Sequence, residues 1–383
     1  MKKIAIIGGG ISGLYIANLL KENPDYEIKI YEKNNSVNLE KAYGIQLSVN
    51  SIKLLNKIGF QNINNEEKFN PDKVDFYSSK EGKKICDVDI SIFNDSEAQY
   101  TTLPRSTLIK FLKDKLANNF INYNKRVIKV KNDLQSIKIS FQDNSLIECD
   151  YLIVSDGVFS ITKSLVANKE IKPIYFNSIA IRATIDKVKI QNVNYNNISL
   201  FLGHNFHSVV YPINKNNEFN FIGLLRKKLT QKEIDNYSLF ESRSFVSSIL
   251  SEMSKKIDQN ILNNLKNIKC FPVFVSKEIY HPKTKNIFII GDAFFTFPPT
   301  FAQGASQSIE VAFEIYKNFN NITDQFSNLR IKRTSMINRK SKFNYFAFHL
   351  CNPLMVFIRN LLMKYLVKNN KFINSYLGKI YKN

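Results

Sequence analysis

Residues 4–33, IAIIGGGISGLYIANLLKENPDYEIKIYEK, leave a chain like this few folds to choose from. Ile4–Ile7 is an apolar run of the length of one buried parallel strand. Gly8, Gly10 and Gly13 follow in G-x-G-x-x-G spacing, and Leu14, Ala17 and Leu20 then recur at helical period. Glu27–Tyr31 make a second strand, which ends at Glu32 and Lys33. The first glycine permits a tight turn, the second lets backbone amides approach a pyrophosphate, and the third lets helix and strand pack closely. The phosphate then lies at the positive end of the helix. Glu32 sits near the roughly 20-residue offset at which an acid meets a ribose hydroxyl. Glycine spacing alone would be weak; strand, loop, helix, strand and acid in that order make a dinucleotide site. An acid at the strand end fits an adenosine ribose without a 2′-phosphate, hence FAD or NAD rather than NADP.

The remainder must supply a second function. At 383 residues the chain holds two domains or one domain with a large insertion. Its net charge is +21, from 54 basic and 33 acidic residues. The lysines are scattered with no basic arm, and the chain is rich in Asn and Ile, so an AT-biased genome accounts for the charge better than nucleic-acid binding does. Cys86, Cys149, Cys270 and Cys351 lie far apart, which predicts reduced thiols in a cytoplasmic setting, with no zinc site or disulfide framework. The start MKKIAIIGGG resembles a signal peptide, but the glycine loop explains its apolar run and no cleavage site follows. No apolar run reaches the roughly 20 residues that span a bilayer.

Along the chain, Ala42–Phe60 gains helical period in its second half, with Gly59 placed to end the helix, and Val74–Ile90 reads as a hairpin in another layer. Thr102–Leu116 reads as a helix entered through Pro104. Short strands follow near Arg126–Val130, Ile137–Phe141 and Leu146–Glu148, and Tyr151–Val154 is a second buried strand ending in Ser155-Asp156-Gly157. From Ile174 to Lys228, strand-like segments alternate with Asn- and Lys-rich turns, predicting an antiparallel sheet; Gln231–Leu265 returns to helical pattern. Ile287–Ile290 is another buried strand, followed by Gly291-Asp292, a Pro-Pro turn and a helix over Gln303–Phe319, and the rest is helical.

Taken together, these motifs make the chain resemble the flavoprotein monooxygenases of the para-hydroxybenzoate hydroxylase fold, most closely the salicylate-hydroxylase-like branch. The resemblance rests on the first glycine loop, Gly44-Ile45-Gln46-Leu47-Ser48, the arginine of Leu103-Pro104-Arg105, Asp156-Gly157, and Gly291-Asp292-Ala293 leading to Gln303-Gly304-Ala305. It implies that Glu32 holds the adenosine ribose, Arg105 pairs with the pyrophosphate region and Val127 lies beside the adenine. Asp292 would bond ribityl or ribose hydroxyls, and Asp156 and Gly157 would serve both FAD and the nicotinamide cofactor. Buried arginine grips phosphate bidentately, and the amides near Gly304 and Ala305 can stabilise negative charge on a reduced flavin. The chain departs from the family at Phe295, Val311 and Lys163, where His, Asp and Arg are usual.

The sheet holds the candidates for substrate chemistry. His207 is the candidate base, Tyr211 could bond a substrate hydroxyl, and Arg182 could meet a carboxylate or serve only as a sheet-face partner. Phe294, Phe295, Phe297 and Phe301 follow the Gly-Asp turn and read as a pocket wall without a proton acceptor, which favours an apolar phenol over a small polar acid. The apolar segment Phe343–Val367, with Arg359, Lys364 and Lys368 alongside, is a helical cap or, alternatively, a membrane-facing patch.

The expected fold is α/β: a Rossmann-type FAD-binding domain from residues 1–72, 101–170 and 280–325, an inserted antiparallel-sheet substrate domain from 73–100 and 171–279, and a helical tail over 326–383. The expected function is an FAD-dependent monooxygenase that uses NADH or NADPH and inserts one oxygen atom from O2 into an apolar aromatic or phenolic substrate. A hydroxylase of ubiquinone biosynthesis and a non-oxygenating flavin reductase of the same fold are the alternatives. The sequence names neither the substrate, nor NADH against NADPH, nor the oligomeric state.

Overall fold

The structure, a computed structural model, describes residues 1–37, 43–133, 136–186, 193–282, 284–319 and 324–381. The chain begins with β1 (Lys2–Ile7), α1 (Ile11–Leu20), β2 (Tyr26–Tyr31) and β3 (Gly44–Leu47). It makes the hairpin β4 (Lys73–Ser78) and β5 (Lys84–Asp89), then β6 (Thr101–Pro104), α2 (Arg105–Asp114) and β7 (Tyr151–Val154). Next come β8 (Ile174–Asp186), β9 (Ile198–Gly203), β10 (Phe206–Pro212), β11 (Glu218–Arg226) and β12 (Leu265–Val275). The last elements needed for the site are β13 (Ile287–Ile289), α3 (Gly304–Lys317), α4 (Asp324–Phe348) and α5 (Pro353–Leu366). The start of the Ala42–Phe60 segment and the last two residues lie outside the described ones.

The first sheet is parallel and runs β13-β7-β1-β2, with the short strand Ile121–Asn122 at its far edge. β1 pairs on one side with β7, Ile4 opposite Tyr151, and on the other with β2, Ile4 opposite Ile28. A central parallel strand is covered on both faces, which is why Ile4–Ile7 and Leu152–Val154 read as unbroken apolar runs and are buried. Three stretches far apart in sequence thus place their strand ends, and the loops after them, side by side.

The second sheet has seven strands in the order β12-β8-β11-β10-β9-β4-β5, antiparallel throughout except between β9 and β4. Its two faces separate by residue parity. Ile179, Ile181 and Ala183 of β8 and Phe206 and Val210 of β10 pack with Ile249 and Met253 of the helix Arg243–Ser254. The alternate residues, Arg182 on β8 and His207, Val209 and Tyr211 on β10, therefore lie on the opposite face, where Tyr211 joins the core of the first layer.

Two local readings differ from the structure. Thr101–Pro104 is a strand paired with β3, and the helix begins only at Arg105. Proline holds the residue before it in extended conformation, so Leu103 cannot enter a helix. β12 was not expected from the sequence: it carries Pro272 and follows a helical stretch, yet it lies at the sheet edge, where a strand tolerates proline.

Glu310 anchors the tail to α3. Arg330 Nη1 donates to its Oε1 at 2.6 Å, Arg333 Nη2 to Oε2 at 2.7 Å, and Asn50 Nδ2 to Oε2 at 2.8 Å. Burial alone would raise this carboxyl, but the two guanidiniums outweigh it and hold it below its ordinary range. Removing one partner from such a buried set costs about 3–5 kcal/mol.

Candidate active site

The loops after β1, β2 and β7 meet in a cavity of about 230 Å³. Gly8, Gly10, Glu32, Lys33, Asp156 and Gly157 lie on its wall, and Arg105 and Val127 also line it. Gly8 has φ +107°, and a Cβ there would come within 2.5 Å of the Ser155 carbonyl oxygen. At Gly13 a Cβ would lie 2.1 Å from the Gly8 carbonyl oxygen, so only glycine fits where α1 crosses the turn. Ser155 supports the turn by donating to the carbonyls of Ile7 at 2.8 Å and Gly8 at 3.1 Å. That residue was not singled out in the sequence; its only signal there is adjacency to Asp156-Gly157.

Glu32 is positioned by the loops on either side of it. Its Oε2 accepts from the Gly9 amide at 2.8 Å and its Oε1 from the Asn34 amide at 3.0 Å. Each oxygen keeps a lone pair toward the cavity for hydroxyl donors. Asp156 takes hydrogen bonds from Ser160 Oγ and the Thr162 amide, yet burial raises its carboxyl above the ordinary range. Lys163, where the family pattern has Arg, is buried, and desolvation lowers its ammonium while Asp156 opposes the fall.

Asp292 follows β13. It is exposed, yet protein surrounds it closely enough for desolvation to raise its carboxyl, with the Arg105 guanidinium opposing the rise. Beyond it, α3 starts at Gly304 and Ala305. Gln303 fixes that start: it is buried and donates from Nε2 to Ser48 Oγ at 3.3 Å. Ala302, just before, holds φ +50°, an uncommon conformation for a residue with a Cβ, costing of order 1–3 kcal/mol. The loop is held from α4, where the Ser341 carbonyl accepts from Thr300 Oγ1 at 2.6 Å.

Of the four phenylalanines after Asp292, all are buried. Phe295 and Phe297 pack together at 5.1 Å beside Gly304 and Val311, in a small cavity of about 10 Å³. Phe301 instead meets Tyr376 of the tail edge-on at 5.7 Å. The wall is therefore split between the α3 end and the tail.

Gln46, Tyr211 and Arg182 come together on the sheet face. Tyr100 Oη donates to Gln46 Oε1 at 2.9 Å, which leaves the Gln46 amide for its hydrogen bond with Tyr211. Burial pushes the Tyr211 hydroxyl up, opposed by Arg182 and Gln46, so it remains protonated at neutral pH. The Arg182 guanidinium stacks over the Tyr43 ring at 5.1 Å. Gly44 allows the two layers to close: a Cβ there would lie 2.6 Å from Ile213, and its amide donates to Asn220 Oδ1 at 2.6 Å. Tyr43 and Tyr100 were not legible as site residues, since nothing in their spacing distinguishes them from core aromatics.

His207 lies apart from this group. It shares a strand face with Tyr211 but is four residues away, roughly 13 Å along β10. Its Nδ1 is 2.7 Å from His349 Nε2 at the end of α4, and both rings are buried. Desolvation lowers both imidazoles, and His207, Arg226 and Lys256 lower His349 further. Both are neutral at pH 7, one ring N–H donating to the other nitrogen. Among the described residues no cluster of His, Cys, Asp and Glu could hold a metal ion.

The donor set fits FAD. A Cβ on Gly10, Gly157 or Gly304 would meet no atom within 4 Å, so the backbone is bare at the first helix start, at the Asp-Gly turn and at the α3 start. Carboxylates at Glu32 and Asp292 suit ribose and ribityl hydroxyls, and Arg105 with the α1 amides suits a pyrophosphate. Comparison with known proteins agrees. Residues 1–324 match the family model described as FAD binding domain. The chain is 23% identical over 320 residues to 6-hydroxynicotinate 3-monooxygenase of Bordetella bronchiseptica, covering 81% of this chain and 80% of that one. It is 22% identical over 369 residues to 6-methylsalicylate 1-monooxygenase of Aspergillus terreus, covering 87% and 80%. Among solved structures, Klebsiella pneumoniae HpxO complexed with FAD and uric acid superposes with a TM-score of 0.82 at 16% identity, covering 99% of this chain and 96% of that one.

Proposed function

Because the chain belongs to the FAD-binding-domain family and is an FAD-dependent monooxygenase, we propose that NADH or NADPH reduces it and that it inserts one oxygen atom from O2 into an apolar aromatic or phenolic ring held between the sheet face and the start of α3. In this reading residues 1–72, 101–170 and 280–325 hold FAD, residues 73–100 and 171–279 hold the substrate, and 326–383 close the site.

One observation carries the proposal. Gln46 is bonded to Tyr211 on the sheet, and two residues later Ser48 is bonded to the start of α3, its amide to Ser306 Oγ at 3.2 Å and its Oγ to Gln303. The substrate-facing group and the helix that points at the cofactor site are thus coupled through one short strand.

FAD, when bound and reduced, supplies the activation of O2. The chain does the rest. The amides and glycines of the first loop, with Arg105, hold the phosphates, and Glu32 accepts from the ribose. The α3 amides stabilise negative charge at its N-terminus. Tyr211, protonated, donates a hydrogen bond to a substrate hydroxyl, and Arg182 stabilises a phenolate. Buried aromatic residues exclude water from the reacting ring.

Arg182 also favours a second reading, in which its guanidinium pairs with the carboxylate of an aromatic acid. The relatives named above act on a hydroxynicotinate and a methylsalicylate, which supports it. The test compares alkyl- and prenyl-phenols with hydroxylated aromatic acids for O2-dependent NAD(P)H oxidation and for hydroxylated product. Stimulation by phenols supports the first reading and stimulation by acids the second; hydroxylation of neither class refutes both.

A further inference from the structure

Helix α5 carries large apolar side chains on both of its sides, where an ordinary surface helix keeps them inward. Its packed side is mixed: Arg359 is buried and donates from Nη1 to the Ala347 carbonyl at 3.1 Å, while Met363 packs near Ile85 and Leu202. Its outer side presents Leu354, Phe357, Ile358, Leu361, Leu362 and Tyr365, each between 39% and 72% exposed. Phe343 and Phe346, on the last turns of α4, are 60% and 56% exposed. Surface helices normally place such residues inward, and contiguous exposed apolar area of this kind marks an interaction face.

Charge selects the occupant. After Asp324 the chain contains no Asp or Glu. Arg339, Lys342, Lys364 and Lys368 are exposed on or beside the same turns. A second copy docked through the same patch would bring the same basic residues, and that segment offers no acids to pair with them, while the net charge of +21 on each copy opposes their approach. Nucleic acid would satisfy the cations but leave the apolar side chains against phosphate. A bilayer with anionic headgroups satisfies both at once. Among the described residues no helix is long and apolar enough to cross a membrane, so the contact lies in the interfacial plane.

We propose that the end of α4 and all of α5 form a docking face for an anionic lipid bilayer, with α5 lying among the headgroups and its apolar side chains in the acyl boundary. This stands independently of the substrate: it concerns where the protein sits, and it is read without turnover.

The test is sedimentation of the full-length, FAD-loaded protein with phosphatidylcholine vesicles and with vesicles that also contain phosphatidylserine. At low salt the protein should pellet with the second and far less with the first. The exposed pair Phe357→Ser and Leu361→Ser should lower partitioning roughly tenfold or more, and Lys342→Glu, Lys364→Glu and Lys368→Glu together should abolish the preference for phosphatidylserine. Melting temperature and flavin absorbance check that each variant is folded. Wild type remaining in the supernatant with both vesicles, equal binding to both, or full binding by folded variants would each overturn the inference. So would a wild-type dimer in sedimentation equilibrium that Phe357→Ser with Leu361→Ser dissociates, since the face would then belong to a second copy.

Discussion

Replacing Glu32 by Ala tests the cofactor cradle directly. The carboxylate accepts two backbone amides, from Gly9 and Asn34, and only 8% of the residue is exposed. It shapes the loop, and in the proposed reading it also offers lone pairs to a ribose. A charge-assisted hydrogen bond contributes about 1.5–3 kcal/mol. At about 1.4 kcal/mol per tenfold, losing it should raise the FAD dissociation constant by one to two powers of ten. The orphaned amides face a cavity that water can enter, so apoprotein stability should change by about 1 kcal/mol or less. Glu32→Gln keeps one acceptor and the shape but not the charge, and should fall between wild type and Ala. The assay is titration of apoprotein with FAD, followed by flavin fluorescence, alongside urea unfolding. A folded Glu32→Ala protein that binds FAD within about threefold of wild type would refute the role given to this carboxylate.

Gly304→Val should leave the apoprotein melting temperature unchanged, because no atom lies within 4 Å of the added Cβ, while FAD binding is lost or its reduction potential falls; unchanged affinity and potential would mean that α3 does not point at the ring. Stability should drop in acid through the His207–His349 pair: the folded imidazoles are lowered and the unfolded ones titrate near 6.5, so below that pH the unfolded chain binds more protons and unfolding becomes easier by up to about 1.4 kcal/mol per pH unit for each ring. Urea melts at pH 7.5 and 5.5 check this, and a slope unaltered by His207→Gln with His349→Gln would rule the pair out as its source. Arg182→Ala should raise KM for an aromatic acid about a hundredfold and for an uncharged phenol less than threefold if the guanidinium holds a carboxylate; comparable losses with both would assign it to the phenolate, and no effect on either would make it only a sheet-face partner of Tyr43.

The sequence was most informative where backbone sterics allow one residue type. Gly8 and Gly13 could be read because a Cβ at either would clash with backbone, and the buried parallel strands because burial on both faces forces continuous apolar runs. The strands of the second sheet were legible by alternation and by their turns. Among the described residues, seven of the eight non-glycine positions with positive φ are Asn, so this Gly-poor chain turns corners with Asn. β12 was hidden because an edge strand obeys weaker rules than a central one, and β6 because a four-residue lead into a helix carries no period of its own.

The group proposed to recognise substrate was harder to read, and the reason is physical. Gln46 stood in a motif, but what it bonds is decided by tertiary contacts. Tyr100 bonds Gln46 and is itself bonded by Tyr381, near the end of the chain, while Arg333 holds that end by donating to the carbonyls of Lys379 at 3.0 Å and Ile380 at 3.1 Å. Tyr381, Tyr100, Gln46 and Tyr211 thus form a hydrogen-bonded series built from four separated segments, each member an unremarkable aromatic or amide in its own neighbourhood. No periodicity can encode such a series, because its members share neither a helix face nor a strand. The tail therefore has an inner surface that orients Gln46 and an outer one that carries the apolar patch. Seen from the sequence, both merge into a single apolar-basic stretch; only the packing separates the residues that serve the site from those that face outward.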